Sequence, residues 1–171
     1  MAQTEPSVVT SVDIRPISAD ETVALRHAVL WPNVPIDSEI IRLPEDDSGY
    51  HLGAFVQGTG TPVAVISVFR EDMAPTLFPV RSTDASSSEQ SHPVSFRFRK
   101  FACYPAFQGR GIGSALLAHT MDYCRTDMGA GLLWCDARVT AVSWYEKRGL
   151  EAFGDTWFKG TLEYIKMRKF L

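Results

Sequence analysis

Residues 101–117 read Phe101-Ala-Cys-Tyr-Pro-Ala-Phe-Gln-Gly-Arg-Gly-Ile-Gly-Ser-Ala-Leu-Leu117, and this stretch decides the fold class. An apolar strand is followed by a loop with glycine at every second position, Gly109, Gly111 and Gly113, and then by an amphipathic helix. A helix N-terminus leaves about four backbone N–H groups unpaired and carries about half a positive charge. Glycine permits positive φ angles and lets ligand oxygens approach the backbone. The stretch therefore predicts an anion site of the kind that binds a pyrophosphate.

Two other phosphate-binding loops share features with this one. The nucleotide P-loop requires Gly-Lys-Ser/Thr, and it is excluded because Ile112 and Gly113 follow Gly111. The dinucleotide fingerprint remains open on the letters alone, since the small Ser114 stands where its third glycine would be. Asp136 could imitate the ribose-binding acid of that fingerprint, although it comes late for the usual spacing of about 20 residues. The order of elements decides against this fold, which needs several further βαβ units after the fingerprint.

The composition indicates one compact domain, which we expect to span residues 1–171. The chain has 171 residues, of which 45% are hydrophobic, enough for a single core. Seventeen basic residues against twenty acidic ones give a net charge of −3. There is no general positive field to attract nucleic acid or an anionic membrane, so neither partner is expected.

The cysteine pattern indicates reduced thiols. Cys103, Cys124 and Cys135 are odd in number and lack Cys-x-x-Cys or Cys/His ligand spacing, so we expect neither disulfides nor a metal site. Residues 1–12 lack the pattern of a signal peptide, and no run reaches the about 18 apolar residues of a membrane span. The expected location is cytoplasmic.

Periodicity in the first half of the chain predicts strands at 12–17, 50–56 and 62–69, the last two forming a hairpin around a glycine turn. Between the first two of these strands we expect a helix that starts at a Ser18/Glu21 capping box and stops before Pro32, followed by a brief helical turn at 36–41. Residues 72–93 show no period and predict a mobile insertion, a candidate lid.

The second half predicts a strand from Ser95 whose apolar face switches near Arg99-Lys100, which indicates a β-bulge. Next we expect a helix that begins at Ile112 and ends near Asp127, and a short strand at 132–135. A second helix, capped by Thr140 or Ser143, ends at Gly149, and the final strands lie at 151–154 and 162–170. The fold class is α/β, an α+β mixed sheet of about six or seven strands with about four helices and one parallel step.

At this point the sequence resembles the GNAT superfamily of acyl-CoA-dependent N-acyltransferases. Gln108-Gly-Arg-Gly-Ile-Gly113 matches the family's Gln/Arg-x-x-Gly-x-Gly/Ala motif, and Ala141–Leu150 looks like its second motif, ending in Tyr-Glu-Lys-x-Gly-hydrophobic. The resemblance is strongest from Phe96 to Leu150, about a third of the chain. It implies a GNAT-like fold with splayed central strands and transfer of an acetyl group from acetyl-CoA, without a metal, to a primary amine of a small molecule or peptide.

The resemblance also implies roles for individual residues. Tyr145 would be the general acid that returns a proton to the departing thiolate, since a phenol of pKa about 10 can protonate or hydrogen-bond a thiolate of pKa about 8.5. Arg110 would pair with a phosphate oxygen or stay a solvated loop arginine. The strand would bind the pantetheine arm and the loop the pyrophosphate; the corresponding residues are Phe101, Ala102, Cys103, Gln108, Gly109, Arg110, Gly111, Ile112, Gly113 and Ser114.

No motif marks the residues that would contact the acceptor. The candidate acceptor contacts are Arg26, Trp31 and Glu71, and an arginine among them would suit an acceptor bearing a carboxylate. A general base is required for an amine nucleophile, and Glu71, His51 and Asp136 are the candidates. His27 and His119 are expected on helix surfaces. Arg138 departs from the asparagine that the family often has there, so it either contacts the coenzyme or forms a surface salt bridge with Asp136.

Two other functions compete with catalysis of this type. A non-catalytic acyl-CoA-binding sensor or interaction module would keep the loop but not need Tyr145, and a nicotinamide-dependent oxidoreductase would respond to NAD(H) rather than to CoA. The acceptor, the acyl length and the choice between a monomer and a homodimer are left open by the residues.

Overall fold

The computed structural model describes residues 11–73 and 92–171, so nearly all of the predicted insertion at 72–93 lies outside the described residues. The described residues form a seven-stranded mixed sheet in the order β1-β2-β3-β4-β5-β7-β6. Three α-helices are present in these ranges, whereas the sequence predicted about four. The elements are β1 (Asp13–Ile17), α1 (Ala19–Leu30), β2 (Tyr50–Phe55), β3 (Ala64–Arg70), β4 (Ser95–Cys103), α2 (Ile112–Thr126), β5 (Leu132–Arg138), α3 (Val142–Glu146), β6 (Glu151–Lys159) and β7 (Leu162–Phe170).

The missing helix is the brief turn predicted at 36–41. That segment instead forms two successive turns, in which the Ser38 amide donates to the Pro35 carbonyl at 3.0 Å and the Ile41 amide to the Ser38 carbonyl at 3.1 Å. A 3-10 helix follows at Asp46–Ser48. Each of these two hydrogen bonds closes a single turn, and no further backbone bond within 36–41 continues them into a helix.

The chain divides into two compact units. One comprises the residues up to Ser67 together with Lys100–His119, and the other comprises Val68–Arg99 together with Thr120–Leu171. β3, β4 and α2 each contribute residues to both units.

In the first unit, β1 and β2 pair antiparallel, from Asp13 opposite Phe55 to Ile17 opposite His51. The predicted capping box at the start of α1 is confirmed, because the Glu21 amide donates to the Ser18 hydroxyl at 3.3 Å and the Ser18 amide to the Glu21 carboxylate at 2.7 Å. A core forms around the buried Leu25, Val65 and Ala102, with Ile17, Val29, Leu30 and Tyr104 packed against it.

In the second unit, β4 runs parallel to β5 over Ser95–Arg97, which confirms the predicted parallel step. β5 pairs antiparallel with β7 from Leu132 to Arg138, and this pairing carries the strand past the predicted end at residue 135. β6 likewise continues to Lys159 instead of ending near residue 154, because it resumes pairing with β7 after a register shift between Phe153 and Trp157.

The predicted N-cap of α3 is wrong, whereas its predicted C-cap is confirmed. Neither Thr140 nor Ser143 caps the helix; its N-cap is Ala141, without a side-chain hydrogen bond, and a 3-10 turn leads directly into it. The predicted glycine C-cap is confirmed, since the Gly149 amide donates to the Glu146 carbonyl at 2.9 Å and the Leu150 amide to the Tyr145 carbonyl at 3.2 Å.

Candidate active site

The glycine loop lies between a 3-10 turn at Pro105–Phe107 and the start of α2. Gly109 and Gly111 have φ angles of +73° and +79°, a region that side chains with a β-carbon disfavour. A β-carbon built on either glycine meets no atom within 4 Å. Glycine is thus required here by the backbone conformation, and the space beside both residues is open to a ligand. Gly113 lies in the first turn of α2.

The backbone amides of this loop indicate a binding site for an anion. The amides of Gly109, Arg110 and Gly111 donate to no residue in the described part of the chain. Gln108 behaves differently, since its amide donates to the Pro105 carbonyl at 3.2 Å and its side chain to the Cys103 carbonyl at 2.9 Å. Gln108 therefore fixes the loop to the end of β4, and three successive amides beside the positive end of a 15-residue helix stay available to oxygen atoms.

The end of β4 has an irregular backbone. Lys100 has a φ of +52°, which is rare for a residue other than glycine, and it lies at the position of the predicted β-bulge. Beyond it, Ala102 is buried in the core while Phe101 and Cys103 are half-buried. Burial raises the pKa of the Cys103 thiol, so the side chain is neutral at pH 7.

Tyr145 lies on α3 in an aromatic environment. Its ring centroid is 5.1 Å from that of Trp144, edge to face, and 6.0 Å from that of Phe98. Burial, and secondarily the neighbouring Cys135, raises the pKa of Tyr145, so the phenol keeps its proton. The hydroxyl forms no hydrogen bond with any residue that the structure describes. It is a neutral donor whose hydrogen bond is not used by the fold.

A charge network covers part of the second unit. The Arg97 guanidinium binds the Glu71 carboxylate at 2.9 Å and also the Asp136 carboxylate, which in turn binds the Lys166 ammonium at 2.8 Å. Arg99 makes a second contact with Glu71 at 3.1 Å. Sequence reasoning selected the two carboxylates but missed the cations. The signal was available in the alternation of arginine with phenylalanine along 95–99, which places the arginines on one face of β4.

A family model for the acetyltransferase (GNAT) domain matches residues 86–171, half of the chain. The chain belongs to the GNAT acetyltransferase family. It is accordingly an acyl-CoA-dependent N-acyltransferase, as the motifs at residues 108–113 and 141–150 indicated.

Relatives of known sequence or structure agree with this GNAT assignment. The uncharacterized N-acetyltransferase YitI of Bacillus subtilis (strain 168) is 26% identical over 166 residues, covering 94% of this chain and 97% of the relative. A proposed N-acetyltransferase from Lactobacillus plantarum superposes with a TM-score of 0.71 at 20% identity, over 95% of this chain and 99% of the other. A GNAT family acetyltransferase from Elizabethkingia anophelis, solved with acetyl-CoA bound, gives a TM-score of 0.64 at 13% identity, over 94% of this chain and 98% of the other. These structures confirm the GNAT-like fold.

One expected acceptor contact of this GNAT enzyme is wrong. Arg26 is 0% exposed, and its guanidinium binds the Asp46 carboxylate at 2.6 and 3.0 Å, the Ser67 hydroxyl at 2.6 Å and the Ile41 carbonyl at 3.2 Å. Alternation and helix spacing could not reveal this, because the partners are distant in sequence. Arg26 is therefore a structural residue of the first unit and cannot reach an acceptor.

His51 belongs to the same interior group. Its Nδ1 lies 2.7 Å from the Ser67 hydroxyl and its Nε2 lies 2.8 Å from the Asp46 carbonyl, and the residue is 5% exposed. Both ring nitrogens are thus engaged by the fold. A general base must exchange its proton with substrate or water, and this arrangement excludes His51 from that role.

The other singled-out residues are half-buried or exposed. Trp31 ends α1, and the Lys100 ammonium lies 3.8 Å from the centre of its ring, so an acceptor contact by Trp31 stays a prediction. Arg110 is exposed, with its guanidinium 5.5 Å from the Phe107 ring. Arg138 and His119 are exposed, and the His27 ring lies 2.8 Å from the Val34 carbonyl.

Two features are absent from the described residues. None of the helices in 11–73 and 92–171 is long and apolar enough to cross a membrane. Within the same ranges, no group of three or more His, Cys, Asp or Glu side chains is arranged to hold a metal ion.

Proposed function

We propose that this protein transfers an acetyl group from acetyl-CoA to a primary amine of a small molecule or peptide by direct attack, within a single N-acetyltransferase domain spanning residues 1–171. The observation that carries the proposal is the run of three amides, from Gly109 to Gly111, that donate to no described residue beside the N-terminus of α2. Such a group of donors suits the diphosphate of a coenzyme.

The coenzyme contacts follow from this loop. The amides from Gly109 to Ser114 bind the pyrophosphate oxygens, and the Arg110 side chain pairs with one of them. Gln108 positions the loop through its bond to Cys103 rather than through its own amide. The residues from Phe101 to Cys103 present backbone groups to the pantetheine arm, next to the irregularity at Lys100.

Tyr145 acts as the general acid. The thioester C–S bond breaks as the amine nitrogen bonds to the carbonyl carbon, and the sulfur leaves as a thiolate that accepts the phenolic proton. Burial keeps the phenol neutral before this step. A proton donor positioned in this way contributes about 10²–10⁴-fold to the rate.

The attacking amine must lose a proton, and Glu71 is the base that we propose. The Glu71 side chain is 37% exposed, against 12% for Asp136, and it can pass a proton to solvent water. Arg97 and Arg99 orient its two oxygens. We further propose a cytoplasmic enzyme that acts as a monomer or homodimer and needs no metal.

The test is a pair of measurements on the full chain. Acetyl-CoA should raise the melting temperature, and acetyl transfer to a panel of primary amines should release free thiol in step with amine consumed. A stabilisation by acetyl-CoA without transfer to any amine would identify a non-catalytic acyl-CoA-binding module instead. A response to NAD(H) and none to acetyl-CoA would contradict the proposal entirely.

A further inference from the structure

One surface of the second unit combines positive charge with aromatic rings. It extends from the network around Asp136 across β7 to β6. We call it the basic patch, and its members are Arg97, Trp134, Asp136, Trp157, Lys159, Tyr164 and Lys166.

Positive charge exceeds negative charge in and beside the basic patch. Among the described residues, three cations, Arg97, Lys159 and Lys166, lie within ion-pair distance of two carboxylates, those of Asp136 and Glu71. The whole chain has a net charge of −3, so this local excess runs against the general balance. An anion bound here would complete the pairing.

Hydrogen-bond donors are also in excess. A guanidinium carries five N–H donors and an ammonium three. The Nε of Arg97 is buried and forms no hydrogen bond within the described residues, although both terminal nitrogens of that side chain are paired. The Lys159 ammonium is 3.8 Å from Asp136, too far for a hydrogen bond, and its side chain is 57% exposed. Lys159 is thus the cation most available to a ligand.

Aromatic rings hold the ammonium groups in place. The rings of Trp157 and Tyr164 stack with centroids 6.0 Å apart, and the Lys159 ammonium lies 5.0 Å from the Tyr164 ring. The Lys166 ammonium lies between Trp134 and Trp157, at 4.7 and 4.9 Å from their ring centres. Cation–π attraction reduces the freedom of both lysines, so a ligand meets charges that are already positioned.

The orientation of the strands separates this surface from the general acid. Arg97 precedes Phe98 in β4, and successive side chains of a strand point to opposite faces. Tyr145 packs against Phe98, so it lies on the face of the second unit opposite the basic patch. An amine held at the basic patch and the acid that protonates the leaving sulfur would therefore approach the reaction from opposite faces of β4.

We propose that the basic patch binds an anionic oxygen group, a carboxylate or a phosphate, carried by the amine acceptor. This inference rests on the proposed acetyl transfer, and it gives that reaction a substrate class. Lys159 is a specificity-determining residue, and the Trp157 and Tyr164 rings contact the apolar part of the acceptor.

The experiment compares matched acceptors. Phenylalanine is paired with phenylalaninamide, and phosphoethanolamine with ethanolamine, and kcat/KM is measured for each. The protein should favour the anionic member of at least one pair by about tenfold, the size expected for one or two partly exposed charge contacts, and the pair with the larger ratio distinguishes carboxylate from phosphate. Lys159→Glu should abolish the preference, and Lys159→Arg should retain it. Arg125→Glu is the matched control, since Arg125 is an exposed cation on α2 that pairs with Asp122 at 3.1 Å.

The outcomes separate this inference from the proposed function. Equal transfer to both members of each pair, or a preference that survives Lys159→Glu, would overturn the inference and leave acetyl transfer intact. If no amine is acetylated, the proposed function fails, and the patch is tested by calorimetry with N-acetylphenylalanine and its amide. Tighter binding of the acid that Lys159→Glu weakens about tenfold supports the anionic site, and equal binding of the two compounds overturns it.

Discussion

The guanidinium of Arg26 and the carboxylate of Asp46 form a two-pronged ion pair, with N···O distances of 2.6 and 3.0 Å, and at most 1% of either side chain is exposed. The Leu43 amide also donates to this carboxylate, at 2.9 Å. The pair links the middle of α1 to the 3-10 helix that precedes β2. It therefore holds the long connection between α1 and β2 against the core of the first unit.

Breaking this ion pair should strongly destabilise the protein. Asp46→Asn leaves the Arg26 charge buried without its counter-charge, and we expect the free energy of unfolding to fall by about 3–5 kcal/mol. Urea denaturation followed by circular dichroism measures the change. Asp47→Asn is the control, because Asp47 pairs with Arg42 at the surface and its loss should cost less than about 1 kcal/mol. Equal effects of the two variants would contradict a structural role for Arg26.

The same pair predicts a dependence of stability on pH. Burial alone would raise the pKa of Asp46, but hydrogen bonds from Arg26 and the Leu43 amide outweigh it and hold the pKa below its ordinary value. A lowered folded-state pKa contributes stability that is present above about pH 4, the unfolded value, and lost as the pH falls further. Thermal melts between pH 3 and 7 should show a steeper acid loss in the natural protein than in Asp46→Asn. Parallel curves would exclude this source of acid sensitivity.

Adding a methyl group to the glycine loop should weaken coenzyme binding. Gly111→Ala forces a β-carbon onto a residue with a φ of +79°, which costs about 1–2 kcal/mol or displaces the amides from their positions. We expect the Kd for acetyl-CoA to rise about tenfold or more, the equivalent of one such strain. Gly60→Ala is a suitable comparison, because Gly60 also has open space around it but no positive φ. Unchanged affinity in Gly111→Ala would show that the coenzyme binds elsewhere.

Removal of the Tyr145 hydroxyl should affect catalysis and leave coenzyme binding intact. Tyr145→Phe keeps the ring contacts with Trp144 and Phe98, so kcat should fall about 10²–10⁴-fold at an unchanged Kd for acetyl-CoA. Because burial raises the pKa of this phenol, it stays protonated, and kcat in the natural protein should not decline between pH 8 and 9.5. Tyr50→Phe, at an exposed position, should be neutral. An unaltered kcat in Tyr145→Phe would refute the acid role.

The three thiols should differ in reactivity. Cys124 and Cys135 are buried, and burial raises the pKa of Cys124 to about 12, whereas Cys103 is half-buried. Iodoacetamide should modify Cys103 alone in the native protein, faster at higher pH, and all three cysteines after denaturation. Saturating acetyl-CoA should slow the modification if the end of β4 binds the pantetheine arm. Mass spectrometry locates the label, and equal rates with and without acetyl-CoA would argue against that contact.

Several of the features that the sequence predicted in detail are local. The capping box of Ser18 and Glu21, the glycine loop and the Gly149 C-cap each depend on residues within a few positions of one another. Their stereochemistry is set by φ preferences and by short hydrogen-bonded rings, which the order of residues already contains. The sequence alone therefore determined where the helices begin or end at these points and which loop presents free amides.

Only the tertiary structure shows which charged residues are buried and which partners they contact. The sequence predicts an acceptor contact for Arg26, whereas in the fold its guanidinium binds Asp46, 20 positions away, and Ser67, 41 positions away. Arg97 and Asp136 are 39 positions apart and meet because β4 and β5 pair in parallel. The energy of a charge depends on its burial and its partners, and both arise only when distant segments come together. The sequence identifies the ionisable groups, but only the packing of distant segments placed Arg26 in the interior and left the Lys159 side chain exposed.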